Sequence, residues 1–278
     1  MKEQETQSDF RFAKKSLGQN FLKSQKAIRQ IAGGAGDLTG KKVLEIGPGM
    51  GYLTEELLKT SAKKITLIEL DNRLIPILQE KFSQEILAGR VEIIHFDILK
   101  IKLEDFGFKK GEYILIANIP YYITGAIMKN IIGGNIYPEK AVVLVQKEVA
   151  KRIIANDKKE SILSIAIKSI GSPKIIDIVP AGSFVPAPRV DSAILLIDKI
   201  SKETFDENSE NEERFFKTLH AGFAHKRKLL KNNLKDGKIF NNTEEAERAL
   251  VEADIKKDAR PEILTVKQWK ALSSLAIL

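Results

Sequence analysis

The chain has 278 residues, which is enough for one large domain and a smaller one. It contains no cysteine and only three scattered histidines, so disulfides, thiolate metal sites and thiol nucleophiles are excluded, and we expect no bound metal. A net charge of +8 favours an anionic partner such as nucleic acid, while a polar N-terminus and the lack of a long apolar run lead us to expect a cytoplasmic protein without a membrane segment.

Residues 41–146 predict a parallel β-sheet with helices on both faces. Short β-branched runs such as KITLIEL and EYILIAN alternate there with longer helical patterns, which is typical of an α/β fold. Pro76 would interrupt a helix that began at Asp71, so we expect this helix to begin two or three residues later. The later runs KIIDIVP and SAILLID predict an antiparallel pair of strands at one edge of the sheet.

The predicted domain boundary lies in the acidic stretch ETFDENSENEE, residues 203–213. This stretch has one large apolar residue, Phe205, and is expected to be a solvated linker or loop. Beyond residue 208 the hydrophobic spacing becomes helical. We therefore expect an α/β domain over residues 1–200 and a small all-helical domain over residues 209–278.

The stretch VLEIGPGMGYL places Gly47, Gly49 and Gly51 between the first strand of the predicted sheet and the next helix. Glycines at such a junction allow a tight turn and let a ligand approach the backbone. A dinucleotide-binding loop would need glycine at position 52, where Tyr52 stands, whereas G-x-G-x-G preceded by an acid is the pattern of S-adenosylmethionine sites. The same loop could also be an ordinary tight turn, so the pattern favours this cofactor without deciding for it.

Polar side chains follow the next three predicted strands. Glu69 ends the second strand, where it can accept both ribose hydroxyls of a nucleoside, and Asp97 follows the third, where it can accept from an adenine amino group. Either carboxylate alone could be a helix cap or a turn residue. Because the carboxyl ends of parallel strands meet at one edge of an open sheet, these carboxylates with Gly47 and Asn118 predict a site for a nucleoside-containing cofactor.

The segment ANIPYYITG, residues 117–125, follows the fourth strand of this series. The side-chain oxygen of Asn118 and a nearby backbone carbonyl can accept both hydrogens of an exocyclic amine on a nucleobase, which directs the nitrogen lone pair at a methyl donor. Tyr121 offers a flat ring on which the base can stack. This chemistry requires a flipped or unpaired nucleotide but no metal or strong base. The alternative is a simple turn with buried tyrosines.

The helical tail contains the basic stretch FAHKRKLLKNN. Its cations can contact RNA phosphates, which position a substrate without reading its sequence. An ordinary solvated helix face is the usual alternative, but this stretch lacks any acid and lies beside Phe223. The predicted RNA-binding residues are Lys226, Arg227, Lys228 and Lys231.

Taken together, these motifs resemble the ribosomal RNA adenine N6,N6-dimethyltransferase family of the small-subunit (KsgA/RsmA) type. N-I-P-Y is similar to the (D/N/S)PPY signature of amino-methyltransferases. The resemblance covers nearly the whole chain through KKSLGQNFL, VLEIGPGMGYLTEELL, LIELD, FDIL, VQKEVAKRI, FVPAPRVDSAIL, FAHKRKLLKNNL and ARPEILTVKQW. It implies a Rossmann-like class I methyltransferase fold with a seven-stranded sheet.

The resemblance also implies site residues and a substrate. It adds Asn20 and Leu22 to the cofactor contacts and makes Phe184 a second face for the target base. The implied target is two adjacent adenosines in a hairpin loop near the 3′ end of small-subunit ribosomal RNA, within an immature 30S subunit, and we expect a monomeric enzyme. Tyr122 and Gly125 depart from residues common in this family, which affects the expected pocket shape rather than the chemistry.

Three other functions remain open at the level of the sequence. A large-subunit adenine methyltransferase of the macrolide-resistance type would share the cofactor site, although FAHKRKLLKNNL favours the small-subunit type. A mainly non-catalytic ribosome assembly factor would use the same RNA contacts. A dinucleotide oxidoreductase is disfavoured by Tyr52.

Overall fold

The structure, a computed structural model, describes residues 14, 17–155, 157, 159–206, 208–225 and 227–277. The chain divides into two compact units. The first takes the chain up to Ala150 together with Ser172–Ile200, and the second takes Lys151–Gly171 together with the chain from Ser201. The predicted division differs from this one in Lys151–Gly171, whose helix Ile162–Ile170 packs against helices of the second unit.

The first unit contains all nine strands of the described residues and most of the short helices. In chain order these elements are β1 Phe21–Leu22, α1 Gln25–Gly33, β2 Lys42–Ile46, α2 Tyr52–Leu58, β3 Lys64–Glu69, α3 Ile75–Lys81, α4 Ser83–Leu87, β4 Val91–His95, β5 Tyr113–Asn118, α5 Thr124–Ile127, β6 Lys140–Gln146, β7 Ser172–Val179, β8 Phe184–Val185 and β9 Ser192–Asp198. A 3-10 turn at Tyr121–Ile123 precedes α5. Pro76 lies in the first turn of α3, as its position in the sequence predicted.

Seven of these strands form one sheet in the order β4-β3-β2-β5-β6-β9-β7. The first five are parallel, and β9 and β7 form the predicted antiparallel pair at the far edge. The parallel strands all direct their carboxyl ends to the same edge. This edge therefore carries Gly47, Glu69 and Asn118, since β2, β3 and β5 end at or just before these residues.

Burial explains why the central strands are almost continuously apolar. In β5 every residue from Tyr113 to Ala117 is buried, and in β6 the buried run extends from Ala141 to Val145. Strands that are covered on both faces lose the polar alternation of a half-exposed sheet. The β-branched residues in these runs also suit the pleated backbone, so local preference and burial favour the same structure.

The second unit is helical. Its helices are α6 Lys147–Ile154, which begins at the end of the first unit, α7 Ile162–Ile170, α8 Ser209–Gly222, α9 Leu230–Asp236, α10 Thr243–Glu252 and α11 Val266–Ser274. Trp269 of α11 is fully buried and stacks on Phe223 with ring centroids 5.5 Å apart. A side chain at Gly222 would collide with the same indole, so α8 and α11 approach each other closely there.

The acidic stretch 203–213 is only in part the solvated linker or loop that its composition predicted. Phe205 is buried, with its ring centroid 5.1 Å from that of Phe215, and α8 already begins at Ser209. The Asn208 side chain accepts a hydrogen bond from the Glu210 amide, and Glu212 pairs with Lys202. Acidic residues suit the first turn of a helix because the helix dipole is positive there. The acidic residues at the end of this stretch therefore belong to the first turn of α8.

Among the described residues, no helix is both long enough and apolar enough to cross a membrane.

Candidate active site

The glycine loop leaves the end of β2 in a backbone conformation that other residues rarely adopt. Gly47 and Gly49 have φ angles of +65° and +60°. A β-carbon on Gly49 would lie 3.0 Å from the ring of Phe21, and the Gly47 amide donates to the carbonyl of Ile68 at 2.9 Å. The loop is therefore held against β3 and presents bare backbone to the space above the sheet edge.

Glu69, the last residue of β3, fixes this loop from the neighbouring strand. Its carboxylate accepts the Gly49 amide at 3.2 Å and the Asp71 amide at 2.8 Å, one on each oxygen. The side chain is 5% exposed, and burial raises its pKa. A carboxylate has about four acceptor positions, so Glu69 can still accept from hydroxyl groups of a ligand.

A second carboxyl group, Glu45, lies in β2 on the lining of the same space. It is 1% exposed and accepts a hydrogen bond from the Thr54 hydroxyl at 2.7 Å. Burial, with a smaller contribution from the nearby charge of Glu69, raises the pKa of Glu45 to about 8. Glu45 is therefore mostly protonated at neutral pH.

The segment that precedes α1 lies across this edge and is attached to it at several points. The Gln19 amide donates to Asp71 at 3.0 Å, and Phe21–Leu22 pairs antiparallel with Phe184–Val185. Asp71 also pairs with Arg73, and the Arg73 side chain is the main cause that lowers the pKa of Asp71 to about 2. The segment thus bridges from the end of β3 to β8, which lies in the connection between β7 and β9.

One cavity of about 220 Å³ collects the residues predicted for cofactor binding and catalysis. The eight predicted residues that line it are Asn20, Leu22, Gly47, Glu69, Asp97, Asn118, Tyr121 and Phe184. The strand ends bring five of them together, the segment before α1 brings Asn20 and Leu22, and the connection between β7 and β9 brings Phe184. Their individual roles remain predictions.

Asn118 and Tyr121 are oriented by different partners. The Asn118 side-chain nitrogen donates to the carbonyl of Asn20 at 3.4 Å, which leaves the side-chain oxygen as a free acceptor with respect to the described residues. The Tyr121 hydroxyl lies 2.7 Å from the Ser192 hydroxyl. Both residues line the cavity, and these hydrogen bonds use neither the amide oxygen of Asn118 nor the ring face of Tyr121.

Two of the predicted site residues, Asp97 and Phe184, also have structural roles that do not require a ligand. The Asp97 carboxylate accepts the Leu99 amide at 3.0 Å and lies 3.9 Å from the Lys100 ammonium, which is the turn role considered for this acid. Phe184 is 2% exposed and packs in the hydrophobic core. Its ring offers little free surface for stacking as the structure stands.

The sequence did not single out Ser192, Gln19 or the pairing of Glu45 with Thr54. Ser192 follows an ordinary Val-Asp pair, and Gln19 is 52 residues from its partner Asp71. Of these residues, only Glu45 could be recognised in the sequence, because an acid before the glycine loop is part of the S-adenosylmethionine pattern. Contacts between distant side chains depend on the assembled sheet and leave no local pattern.

The predicted RNA-binding residues lie in the second unit and are not equivalent there. Lys231 pairs with Glu247 at 2.5 Å and is 22% exposed, and Lys228 pairs with Asp236 at 3.0 Å. Arg227 is exposed and has no ion pair or side-chain hydrogen bond with any described residue. Lys226 lies outside the described residues. Two of the four cations are therefore partly neutralised by neighbours.

In the part of the chain that the structure describes, no group of three or more histidine, aspartate or glutamate side chains is arranged to hold a metal ion.

Comparisons with known proteins find a matching family and similar proteins with names. A family model described as "Ribosomal RNA adenine dimethylase" matches residues 11–273. A protein named ribosomal RNA small subunit methyltransferase A from Ligilactobacillus salivarius is 40% identical over 272 residues, covering 95% of this chain and 90% of the relative. The protein of the same name from Dehalococcoides mccartyi is 39% identical over 260 residues, covering 94% and 87%.

Solved structures extend the likeness to the fold. A dimethyladenosine transferase from Plasmodium falciparum has a TM-score of 0.77 at 25% identity, covering 93% of this chain and 100% of that chain. The 23S rRNA methyltransferase ErmE has a TM-score of 0.72 at 26% identity, covering 92% and 99%. The fold is that of the class I methyltransferases, as the sequence predicted. With a family model that spans almost the whole chain and relatives near 40% identity, the chain belongs to the ribosomal RNA adenine dimethylase family.

Proposed function

We propose that this enzyme methylates N6 of two adjacent adenosines in a hairpin loop near the 3′ end of small-subunit ribosomal RNA, twice at each base. The observation that carries the proposal is that Asn118 and Tyr121 line one cavity with the glycine loop. The names of the relatives at 39% and 40% identity support the small subunit as the source of the RNA.

The cavity fits S-adenosylmethionine, the methyl donor of the enzyme. When bound, this molecule supplies an electrophilic methyl group on a sulfonium centre. Glu69 would accept from the ribose hydroxyls at acceptor positions that the loop amides leave open, and Asp97 would accept from the adenine amino group. The bare backbone at Gly47 admits a ligand that a side chain there would exclude, and Asn20 and Leu22 would cover it from the other side.

The acceptor base would be held by Asn118 and Tyr121. Before the first transfer the Asn118 oxygen, which no described residue occupies, would accept one hydrogen of the exocyclic amine and a backbone carbonyl of the N-I-P-Y segment the other, so that the lone pair leaves the plane of the ring. Each transfer forms one N–C bond and breaks one N–H bond, whose proton leaves to water, and before the second transfer one acceptor holds the single remaining hydrogen. Tyr121 stacks on the base and fixes its plane. Because the base must enter a cavity at the sheet edge, the target is an unpaired or flipped nucleotide. We propose that Phe184 limits the far side of this base pocket.

RNA outside the base pocket would be held by phosphate contacts. Arg227 is the strongest candidate in the second unit because it is exposed and has no partner among the described residues. Lys228 and Lys231 would have to exchange their carboxylate partners for phosphates. We propose that the enzyme acts as a monomer on an immature 30S subunit, and that binding to this particle gives it a part in ribosome assembly.

The test is incubation with labelled S-adenosylmethionine and ribosomal subunits that lack the modification. Label should enter small-subunit RNA, and primer extension should stop at two adjacent adenosines near its 3′ end. The Asn118→Ala variant serves as the control for chemistry, because it should bind subunits without transferring label. Small subunits that stay unlabelled under conditions where wild type binds them would contradict the proposal.

The likeness to ErmE keeps one alternative in view, because that protein is a 23S rRNA methyltransferase and shares the fold over 92% of this chain. The same incubation with large subunits distinguishes the two. Label confined to 23S-type RNA would favour the alternative. A non-catalytic assembly role would be favoured if Asn118→Ala restored ribosome assembly as fully as wild type.

A further inference from the structure

Ser192 makes a contact with the reaction site that the proposed chemistry does not use. Its hydroxyl oxygen lies 2.7 Å from the phenol oxygen of Tyr121. Ser192 is completely buried, whereas Tyr121 is half-buried and lines the cavity. The hydrogen bond therefore links the ring on which the base would stack to the interior of the sheet.

The backbone of Ser192 is held from both sides. It is the first residue of β9 and pairs with Gln146 of β6 on one side and Val179 of β7 on the other. A residue with ladder partners on two strands has little freedom to move. Its hydroxyl is thus a fixed point near the cavity.

The residue before it adds a further attachment. The Asp191 carboxylate pairs with the Lys147 ammonium at 3.1 Å and accepts the Ala181 amide at 3.3 Å. The Lys147 amide also donates to the Asp191 carbonyl at 3.0 Å. The start of β9 is therefore tied to the end of β6 and to the turn that follows β7.

Tyr121 itself has less support. It begins a short 3-10 turn directly after Pro120, outside the sheet, and its side chain has no other hydrogen bond among the described residues. A ring attached at Cβ alone can rotate about χ1 and χ2, whereas a second attachment at the phenol oxygen fixes the direction of the ring axis. Burial raises the pKa of Tyr121, so the phenol remains protonated at neutral pH and can donate.

We infer that Ser192 is a positioning residue for the methyl transfer, holding the axis of the Tyr121 ring in the direction that stacking on the target base requires. The inference rests on the proposed function, since it assigns the ring its stacking role. A small rotation of the ring would displace the amine of the stacked base from Asn118, and transfer is sensitive to such displacements. The residues proposed to contact the cofactor include neither Ser192 nor Tyr121.

The test compares Ser192→Ala, Tyr121→Phe and the double variant. Each single change removes one half of the hydrogen bond and keeps the aromatic ring, and we expect kcat to fall about five- to tenfold in each case. The double variant should be no slower than the slower single variant, because both changes remove the same interaction. The dissociation constant for S-adenosylmethionine should stay within about twofold, as the cofactor residues are untouched.

Two further variants separate positioning from stability. Ser192→Thr keeps a hydroxyl at this position and should retain most of the wild-type kcat. Ser169→Ala removes another buried serine hydroxyl, which donates to the Ala166 carbonyl in the second unit, and should leave kcat unchanged. Melting temperatures of all variants show whether a lower rate merely follows a loss of folded protein.

The outcomes are distinct. If Ser192→Ala and Tyr121→Phe both keep wild-type kcat while Tyr121→Ala loses activity, the ring matters without its hydrogen bond and the inference is wrong. Independent, multiplying losses in the double variant would also overturn it. If Tyr121→Ala is fully active, the stacking role in the proposed function fails together with the inference.

Discussion

Two regions of the molecule carry predicted functional residues, and they differ in how their side chains are held. At the carboxyl edge of the sheet, residues from distant parts of the chain meet in one cavity, with Glu69 and Asn118 fixed by backbone hydrogen bonds. In the basic stretch of the second unit, Lys228 and Lys231 are engaged by Asp236 and Glu247. The position of a site at strand ends can be predicted from the order of the strands in the sequence. A run of basic residues does not show which carboxylates will pair with them in the folded protein.

Asn118→Ala should have the largest effect and tests the first region. Removing the amide removes an acceptor for the target amine, and we expect kcat for methyl transfer to fall about 10²- to 10³-fold. Asn130→Ala, which changes an exposed asparagine outside the cavity, is the matched control. Rates come from label transfer to small subunits, and cofactor affinity is measured by calorimetry. Normal turnover of Asn118→Ala would remove the residue from the mechanism.

Glu45→Gln should change stability in a pH-dependent way. An unfolded glutamate titrates near 4.5, whereas burial raises the pKa of folded Glu45 to about 8, so the folded state holds the extra proton between these values. Its contribution to stability is complete below pH 4.5 and is lost as the pH rises to 8. Glutamine does not titrate and still accepts from Thr54.

The variant should therefore gain about 2 kcal/mol over wild type between pH 6 and pH 7.5, since each pH unit in this window corresponds to about 1.4 kcal/mol. Urea unfolding of both proteins across this range measures the difference. A constant difference at all pH values would mean that Glu45 is ionised in the folded protein.

Glu69→Gln should weaken cofactor binding about tenfold, because the amide nitrogen replaces one acceptor oxygen in a buried position. Glu92→Gln on the adjacent strand β4 is the control, since Glu92 pairs with Lys64 and does not line the cavity. Calorimetry with S-adenosylmethionine gives both dissociation constants. If Glu69→Gln and Glu92→Gln bind S-adenosylmethionine equally well, Glu69 only holds the glycine loop and does not contact the cofactor.

The sequence predicted the sheet and the position of the site because the physical signals are local. Apolar runs marked β2 to β6, and a polar residue directly after a strand must lie at the carboxyl edge. It did not predict that Lys151–Gly171 belongs to the second unit. The apolar pattern of α7 shows that this helix is buried but not in which of the two hydrophobic cores. Charge partners were equally hidden: Glu247 is 16 residues from Lys231.

The smallest effects should come from substitutions in the basic stretch. They test whether Arg227, which has no ion-pair partner among the described residues, and the paired Lys231 differ in RNA binding. Arg227→Ala removes an exposed guanidinium without a partner among the described residues, so RNA affinity should fall a few-fold and the slope of log K against log salt should decrease by about one. Lys231→Ala mainly breaks a pair with Glu247, so its RNA affinity and salt slope should stay close to wild type.

Filter binding of the hairpin RNA over a range of salt concentrations measures both variants, with urea unfolding as the check on folding. Equal losses in affinity for Arg227→Ala and Lys231→Ala would show that Lys231 leaves Glu247 when RNA binds. The ion pair would then be a resting contact that phosphate replaces, and the paired lysines would belong to the RNA-binding surface together with Arg227. A loss confined to Arg227→Ala would assign the RNA contact to Arg227 rather than to Lys231, because a paired lysine must give up its carboxylate before it can gain a phosphate.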